Sequence, residues 1–173
     1  MPAVHVGVIA CDLVSHRDAE AISRYSSHVV QVNTGESGML SAADVRKALP
    51  LLDLAWLDLL FVENVGSLIG ATRLDLGQNA TVAVFSVAAG DDKAAKHPDL
   101  VRFANVIVLN KIDLLGAVPF DLTSFRSDVA RLNANVEVIE LSALNGTGTN
   151  RWLAWLRKQS RSGQHAIVSN WFG

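Results

Sequence analysis

The chain has 173 residues, half of them hydrophobic, and a formal net charge of −2, with a mean hydropathy of +0.26. That length suits one domain with a proper core, and the near-balanced charge argues against a dedicated nucleic-acid or anionic-membrane surface. No apolar run approaches the ~18 residues of a membrane span, the first residues carry no signal segment, and the one cysteine, Cys11, forms no internal disulfide and suits a reducing cytoplasm.

The predicted elements alternate along the chain. Val4 to Ala10 reads as a strand, followed by Cys11-Asp12-Leu13. Ser15 is placed to cap a helix running to about Tyr25, with Asp18 and Glu20 in its early turns, where a helix prefers acidic residues. His28 to Val32 is the next strand and runs into Asn33-Thr34-Gly35. Ser41 caps a further helix, and Asp44, three residues on, completes a capping-box pattern. Leu57 to Val62 is a strongly apolar strand ending in Glu63-Asn64-Val65-Gly66. Thr81 to Val87 precedes Gly90-Asp91-Asp92-Lys93. The run from Val106 ends in Asn110-Lys111-Ile112-Asp113. A helix spans about Leu122 to Leu132, and Val136 to Leu141 is the last expected strand. A short helix with Trp152, Leu153, Trp155 and Leu156 closes a domain over 1–159, and 160–173 reads as a tail. Alternating strands and helices predict an α/β fold with a mostly parallel sheet covered on both faces. The polar clusters all follow strands, which places them on one rim, where such sheets bind ligands.

The choice of residues after Val106 has a chemical reason. A carboxylate carries two acceptor oxygens, so Asp113 matches the adjacent N1–H and N2–H donors of guanine. Adenine presents an acceptor at N1 and no amino group at C2, a mismatch that leaves the carboxylate unpaired and rejects the base. Lys111 lays its stem along the base, and Asn110 ties neighbouring loops. Ser142-Ala143 reads as the loop behind the base, with backbone N–H groups facing the guanine oxygen. Glu63 reads as a carboxylate holding a metal-bound water, and Gly66 as the residue letting the backbone approach a γ-phosphate. Alone, each has a plain alternative: a solvated glutamate, or an ordinary strand-to-helix turn.

Taken together these segments resemble the hydrogenase nickel-incorporation GTPase family (HypB), within the CobW/HypB/UreG nucleotide-binding domains. Val8-Ile9 through Asp12, Arg17 to Glu20, Gln31 to Gly35, Leu59 to Gly66, Gly90 to Lys93, Leu109 to Leu115 and Ser142-Ala143 carry the likeness in colinear order, over about Val4 to Leu156. The resemblance implies a three-layer P-loop NTPase-like G-domain of the SIMIBI type. It also implies GTP or GDP with Mg²⁺, a homodimeric switch, hydrogenase maturation partners and a cytoplasmic role in nickel insertion. It puts Asp12 and Asp18 in the switch region, Glu63, Gly66 and Asp12 at the catalytic end, and Asn110, Lys111, Asp113, Ser142 and Ala143 around the base.

Two departures stand beside the match. The family's Gly-x-x-Gly-x-Gly-Lys-Thr/Ser phosphate loop has no counterpart in these residues, so the first strand, phosphate loop and first helix are expected to be missing. In the family that strand lies between those ending at Glu63 and near Val87. Its loss leaves unpaired edges in mid-sheet, and implies a truncated frame, a wrong start, a partner-supplied strand or, less favoured, a repacked sheet. The chain by itself is then expected not to hydrolyse GTP detectably. The alternatives are a pseudo-GTPase scaffold or partner-binding module, or half of a split GTPase. Further, the family's Cys-His pair and later Cys are replaced by Gly38, Met39 and Gly70. Glycine gives no side-chain ligand and thioether is a poor one for nickel or zinc, so no metal site is expected there. Cys11 with His16 reads as a buried strand end before it reads as a metal pair. The Trp152–Leu156 stripe reads as a helix face on the sheet, and Leu49, Leu51 and Leu52 as a second candidate contact.

Overall fold

The computed structural model describes residues 4–12, 22–34, 39–64, 75–160 and 166–172. Seven strands form one parallel sheet: β1 (Val6–Asp12), β2 (His28–Asn33), β3 (Leu59–Asn64), β4 (Ala80–Ser86), β5 (Val106–Asn110), β6 (Glu137–Glu140) and β7 (Ala166–Phe172). Their order is β2-β1-β3-β7-β4-β5-β6. Among the described residues five α-helices accompany them: α1 (Ala42–Ala48), α2 (Lys93–Lys96), α3 (Pro98–Phe103), α4 (Leu122–Leu132) and α5 (Thr149–Ser160). The helix expected after Ser15 lies largely outside the described residues. Among the described residues no helix is long and apolar enough to cross a membrane.

The layers follow from strand periodicity. On β5, Ile107 and Leu109 join a core with Phe85, Leu100, Val101, Phe125 and Val129. Val106 and Val108 join Val82, Ile139, Trp155 and Leu156 on the other face. A parallel strand covered twice is apolar at every position, and β5 is buried from Val106 to Leu109. Helix α1 covers Ile9, Leu60 and Val62 through Val45 and Ala48. The stripe of α5 packs on the sheet as expected: Trp155 and Leu156 are buried, and Trp152 stacks on Trp155 with centroids 5.5 Å apart.

β7 changes the expected architecture. The segment read as a tail supplies the strand between β3 and β4. It pairs in parallel with β3 from Leu59↔Ala166 to Asn64↔Trp171, and with β4 from Ala80↔Val168 to Val84↔Phe172. The mid-sheet edges are therefore paired, by the segment that reads as a tail in the sequence.

The start of α1 is the capping box read from the sequence. Ser41 Oγ accepts from Asp44 N at 3.3 Å, and Ser41 N donates to Asp44 Oδ2 at 3.0 Å. Ser41 Oγ also donates to Asp44 Oδ2 at 2.6 Å; that bond first, then the one from Ser41 N, holds the Asp44 carboxyl below its ordinary range, with Lys47 adding to them. Ser41→Ala should cost about 1 kcal/mol of stability, read as a lower urea midpoint. Between α2 and α3, burial pushes the His97 imidazole below its ordinary 6.5; Lys93 and Lys96 act the same way and Asp92 opposes them. The unfolded chain therefore binds the proton first as pH falls. The stability this neutral imidazole contributes is full above about 6.5 and is lost as pH falls through the lower folded value. His97→Gln should flatten that part of the stability profile, measured as urea midpoints at neutral and mildly acidic pH.

Candidate functional site

All ladders are parallel, so β1, β3, β4, β5 and β6 deliver Asp12, Asn64, Ser86, Asn110 and Glu140 to one rim. Asn110 ends β5, and its side-chain oxygen accepts two backbone N–H groups: Lys111 at 2.7 Å and Ala143 at 3.1 Å. One acceptor thus joins the β5 and β6 loops, the tying role read for it from sequence. Lys111 sits at φ 62° and ψ 37°, and among the described residues it is the one non-glycine with positive φ. That conformation costs an L-residue roughly 1–2 kcal/mol, and strain of this kind concentrates at working sites. The sharp turn carries the chain into a single 3₁₀ turn, Ile112–Leu114, which presents Asp113.

The Asp113 carboxylate is exposed, and Ser142 Oγ donates to its Oδ1 at 2.5 Å. Ser142 is fully buried. Its N–H donates to Thr147 O at 2.8 Å, and its own carbonyl accepts from Gly146 N at 2.9 Å. The hydroxyl is thus presented from a closed turn. That turn needs Gly148: at φ 75°, a Cβ there would lie 2.1 Å from Glu140 O. Ile112 N also donates to Leu141 O at 3.3 Å. Asn110, Lys111, Asp113, Ser142 and Ala143 therefore form one cluster, with a carboxylate facing out and a buried serine fixing its direction.

The acidic residues lie further along the rim. Glu63 is in register with Ala10, two residues before Asp12, so both carboxylates belong to neighbouring strand ends. β7 and β4 separate Glu63 from β5, three strand spacings or roughly 14 Å, and Asp12 on β1 lies one spacing further, roughly 19 Å. Gly66, Asp18, Gly38 and Gly70 lie outside the described residues. Met39 is partly buried against the α4-side core. Cys11 is buried, and its Sγ lies 3.4 Å from Thr34 Oγ1. A groove of about 230 Å³ beside β2 and α1, lined by residues including Val32, Lys47 and Leu51, is smaller than the roughly 300 Å³ at which small-molecule pockets begin.

Sequence reasoning passed over one rim residue. Asn64, fully buried, accepts from Leu40 N at 3.0 Å. That bond fixes the amide orientation and joins the end of β3 to the start of α1. Among the described residues its Nδ2 has no hydrogen-bond partner. The apolar run of β3 was the available signal, because an asparagine at its inner end must be buried.

Comparison with known proteins agrees with this geometry. Residues 3–140 match the family model described as CobW/HypB/UreG, nucleotide-binding domain. The chain is 40% identical over 154 residues to the hydrogenase maturation factor HypB of Azotobacter vinelandii, covering 89% of this chain and 51% of that one. It is 39% identical over 153 residues to the probable hydrogenase maturation factor HypB of Methanocaldococcus jannaschii, covering 88% and 69%. The crystal structure of hydrogenase maturation factor HypB from Archaeoglobus fulgidus superposes with a TM-score of 0.83 at 34% identity, covering 91% of this chain and 77% of that one. The chain thus spans about half the length of the Azotobacter relative. With the match running from the first strand through β6, the chain belongs to the CobW/HypB/UreG nucleotide-binding family.

Proposed function

We propose that this chain is the guanine-nucleotide module of a cytoplasmic, homodimer-forming maturation factor that helps insert nickel into a hydrogenase. The observation that carries the reading is the cluster at the end of β5. Asn110 joins the two base-side loops, and Ser142 holds one oxygen of Asp113. A carboxylate has about four lone-pair sites, so a single donor from Ser142 leaves room for N1–H and N2–H of guanine. The Lys111 stem would lie along one face of the base, and Ala143 N–H lines the loop behind it.

With the base at Asp113, the phosphates would run along the rim toward Glu63, Gly66 and Asp12, across a span of the order of an extended nucleoside triphosphate. Mg²⁺ suits this end, because it binds through one or two carboxylates, substrate phosphates and several waters, and Glu63 and Asp12 sit on adjacent strand ends. When bound, Mg²⁺ would neutralise charge on the phosphate oxygens. The chain's part in hydrolysis is positioning and charge stabilisation. Nickel enters this scheme as cargo, and Gly38, Met39 and Gly70 are not assigned a role in holding it.

Two measurements test the reading. Asp113→Asn replaces an acceptor with a donor facing N2–H, and should weaken GDP binding at least about tenfold, ~1.4 kcal/mol, without weakening ADP. Equal weak binding of GDP and ADP by the unaltered chain would remove the role given to Asp113. The 173 residues contain no Gly-Lys-Ser/Thr phosphate loop, so purified chain with Mg·GTP should release phosphate no faster than buffer. Release above buffer that Asp113→Asn abolishes would overturn that expectation.

A further inference from the structure

The loop after β6 carries a reaction of its own. Asn145-Gly146 is the one Asn-Gly pair in the 173 residues, and it lies between Ser142 and the start of α5. Both residues are exposed. Gly146 has φ 81°, and a Cβ built on it would meet nothing within 4 Å. A side chain following an asparagine shields the amide nitrogen between the two residues. Glycine leaves that nitrogen bare and frees the backbone to bring it onto the asparagine carboxamide. The same loop backs the cluster at β5. Asn145 N donates to Ser142 Oγ at 3.4 Å, and that hydroxyl donates to Asp113 Oδ1.

In the closed loop both reacting groups are engaged elsewhere. Gly146 N donates to Ser142 O at 2.9 Å, and Asn145 Oδ1 accepts from Thr147 N at 2.9 Å. The nitrogen is held on one partner while the carboxamide is turned to another, so the two meet only when the loop opens. Opening it disturbs little apolar packing. Ala143 to Thr147 are all exposed, and Leu144 is 87% exposed. Segments with few buried contacts open far more often than the whole protein unfolds.

We propose that Asn145 is a site of spontaneous deamidation, gated by the opening of this loop. Gly146 N gives up its proton and bonds to Asn145 Cγ. The Cγ–Nδ2 bond breaks, ammonia leaves, and a succinimide ring remains. Water, the one co-reactant, then adds to either ring carbonyl. One opening gives aspartate at 145. The other gives isoaspartate, whose main chain runs through Cβ and Cγ and is longer by one carbon. Either product puts a new carboxylate on the loop whose serine backs Asp113, where like charges repel. Isoaspartate also spoils the closure of the turn. The bond from Gly146 N to Ser142 O spans the altered residue, and Gly148 beyond it has no room to shift, since a Cβ there would lie 2.1 Å from Glu140 O. Ser142 then loses the turn that directs its hydroxyl. The modification itself is independent of nucleotide binding; its consequence for guanine recognition rests on the reading of Asp113 given above.

The test needs no variant. The full chain is incubated in warm, mildly alkaline buffer and mapped by trypsin and mass spectrometry. Residues 132–151 form one tryptic peptide, in which Asn133, Asn135 and Asn150 are internal controls. The mass gain of an amide-to-acid exchange should appear first at Asn145, with isoaspartate identified by fragmentation. It should accumulate at least about tenfold faster in guanidinium chloride than in the folded chain. Loss of any of the three control amides ahead of Asn145, or one Asn145 rate in both conditions, would overturn the proposal. Aged chain, separated by its extra negative charge, should lose hydrogen-exchange protection at the amides of Ser142 and Gly146; unchanged protection would overturn the part given to the turn. It should also bind GDP at least about tenfold more weakly than fresh chain. Equal GDP binding by aged and fresh chain would overturn the link to Asp113. If fresh chain binds no GDP, the guanine reading fails by itself, while modification at Asn145 with lost protection at Ser142 and Gly146 still upholds this proposal.

Discussion

Two backbone ladders meeting on one seven-residue strand hold this sheet together. β3 reaches β4 only through β7, so the rim on which the site stands is continuous because Ala166–Phe172 lies in register with both. The side-chain cores cannot do this work by themselves. Two of them lie to either side of the slot on one face, and the third bridges it from the other, where Leu59 meets Val82, Trp155 and Leu156. The spacing from the acidic strand ends to the loops after β5 and β6 is therefore set by backbone hydrogen bonds over a single strand.

Within the site, the burden falls on short polar contacts around a strained turn. Asn110 spends one side-chain oxygen on two loops, and the left-handed Lys111 turns the chain so that Asp113 meets Ser142. The tolerances are small. Gly148 admits no side chain without striking Glu140 O, and Ser142 is sealed from solvent. Rigid backing of this kind fixes the direction of the Asp113 carboxylate in advance, the sort of pre-organisation that reduces ordering costs.

Much of this was legible in the residues. Apolar runs ending in polar clusters located β1 to β6 and put their exits on one rim, and the Ser41–Asp44 spacing gave the start of α1. The cluster after β5 was readable as a grouping, because Asn110, Lys111 and Asp113 stand on one loop and Ser142 and Ala143 on another, and the two loops meet. β7 was not readable, because Ser169 and Asn170 interrupt its apolar run and the polar stretch before it has linker composition. Its place is decided by the vacancy between β3 and β4, a demand made by distant strands and invisible in local pattern. The short helices α2 and α3, divided by His97-Pro98, are too brief for a helical period to declare itself. The sign of φ at Lys111 has no signature in a lysine, and the unpaired amide nitrogen of Asn64 emerges only from packing.

The position of β7 also bears on how the protein comes into being. Every other described strand leaves the ribosome before it, so β3 and β4 lack the strand that joins them until β7 emerges. Pairings that join such distant parts of a chain form late, and bare parallel edges invite contact with neighbouring nascent chains. Vectorial synthesis therefore delays the joining of β3 to β4 until after the other described strands have emerged.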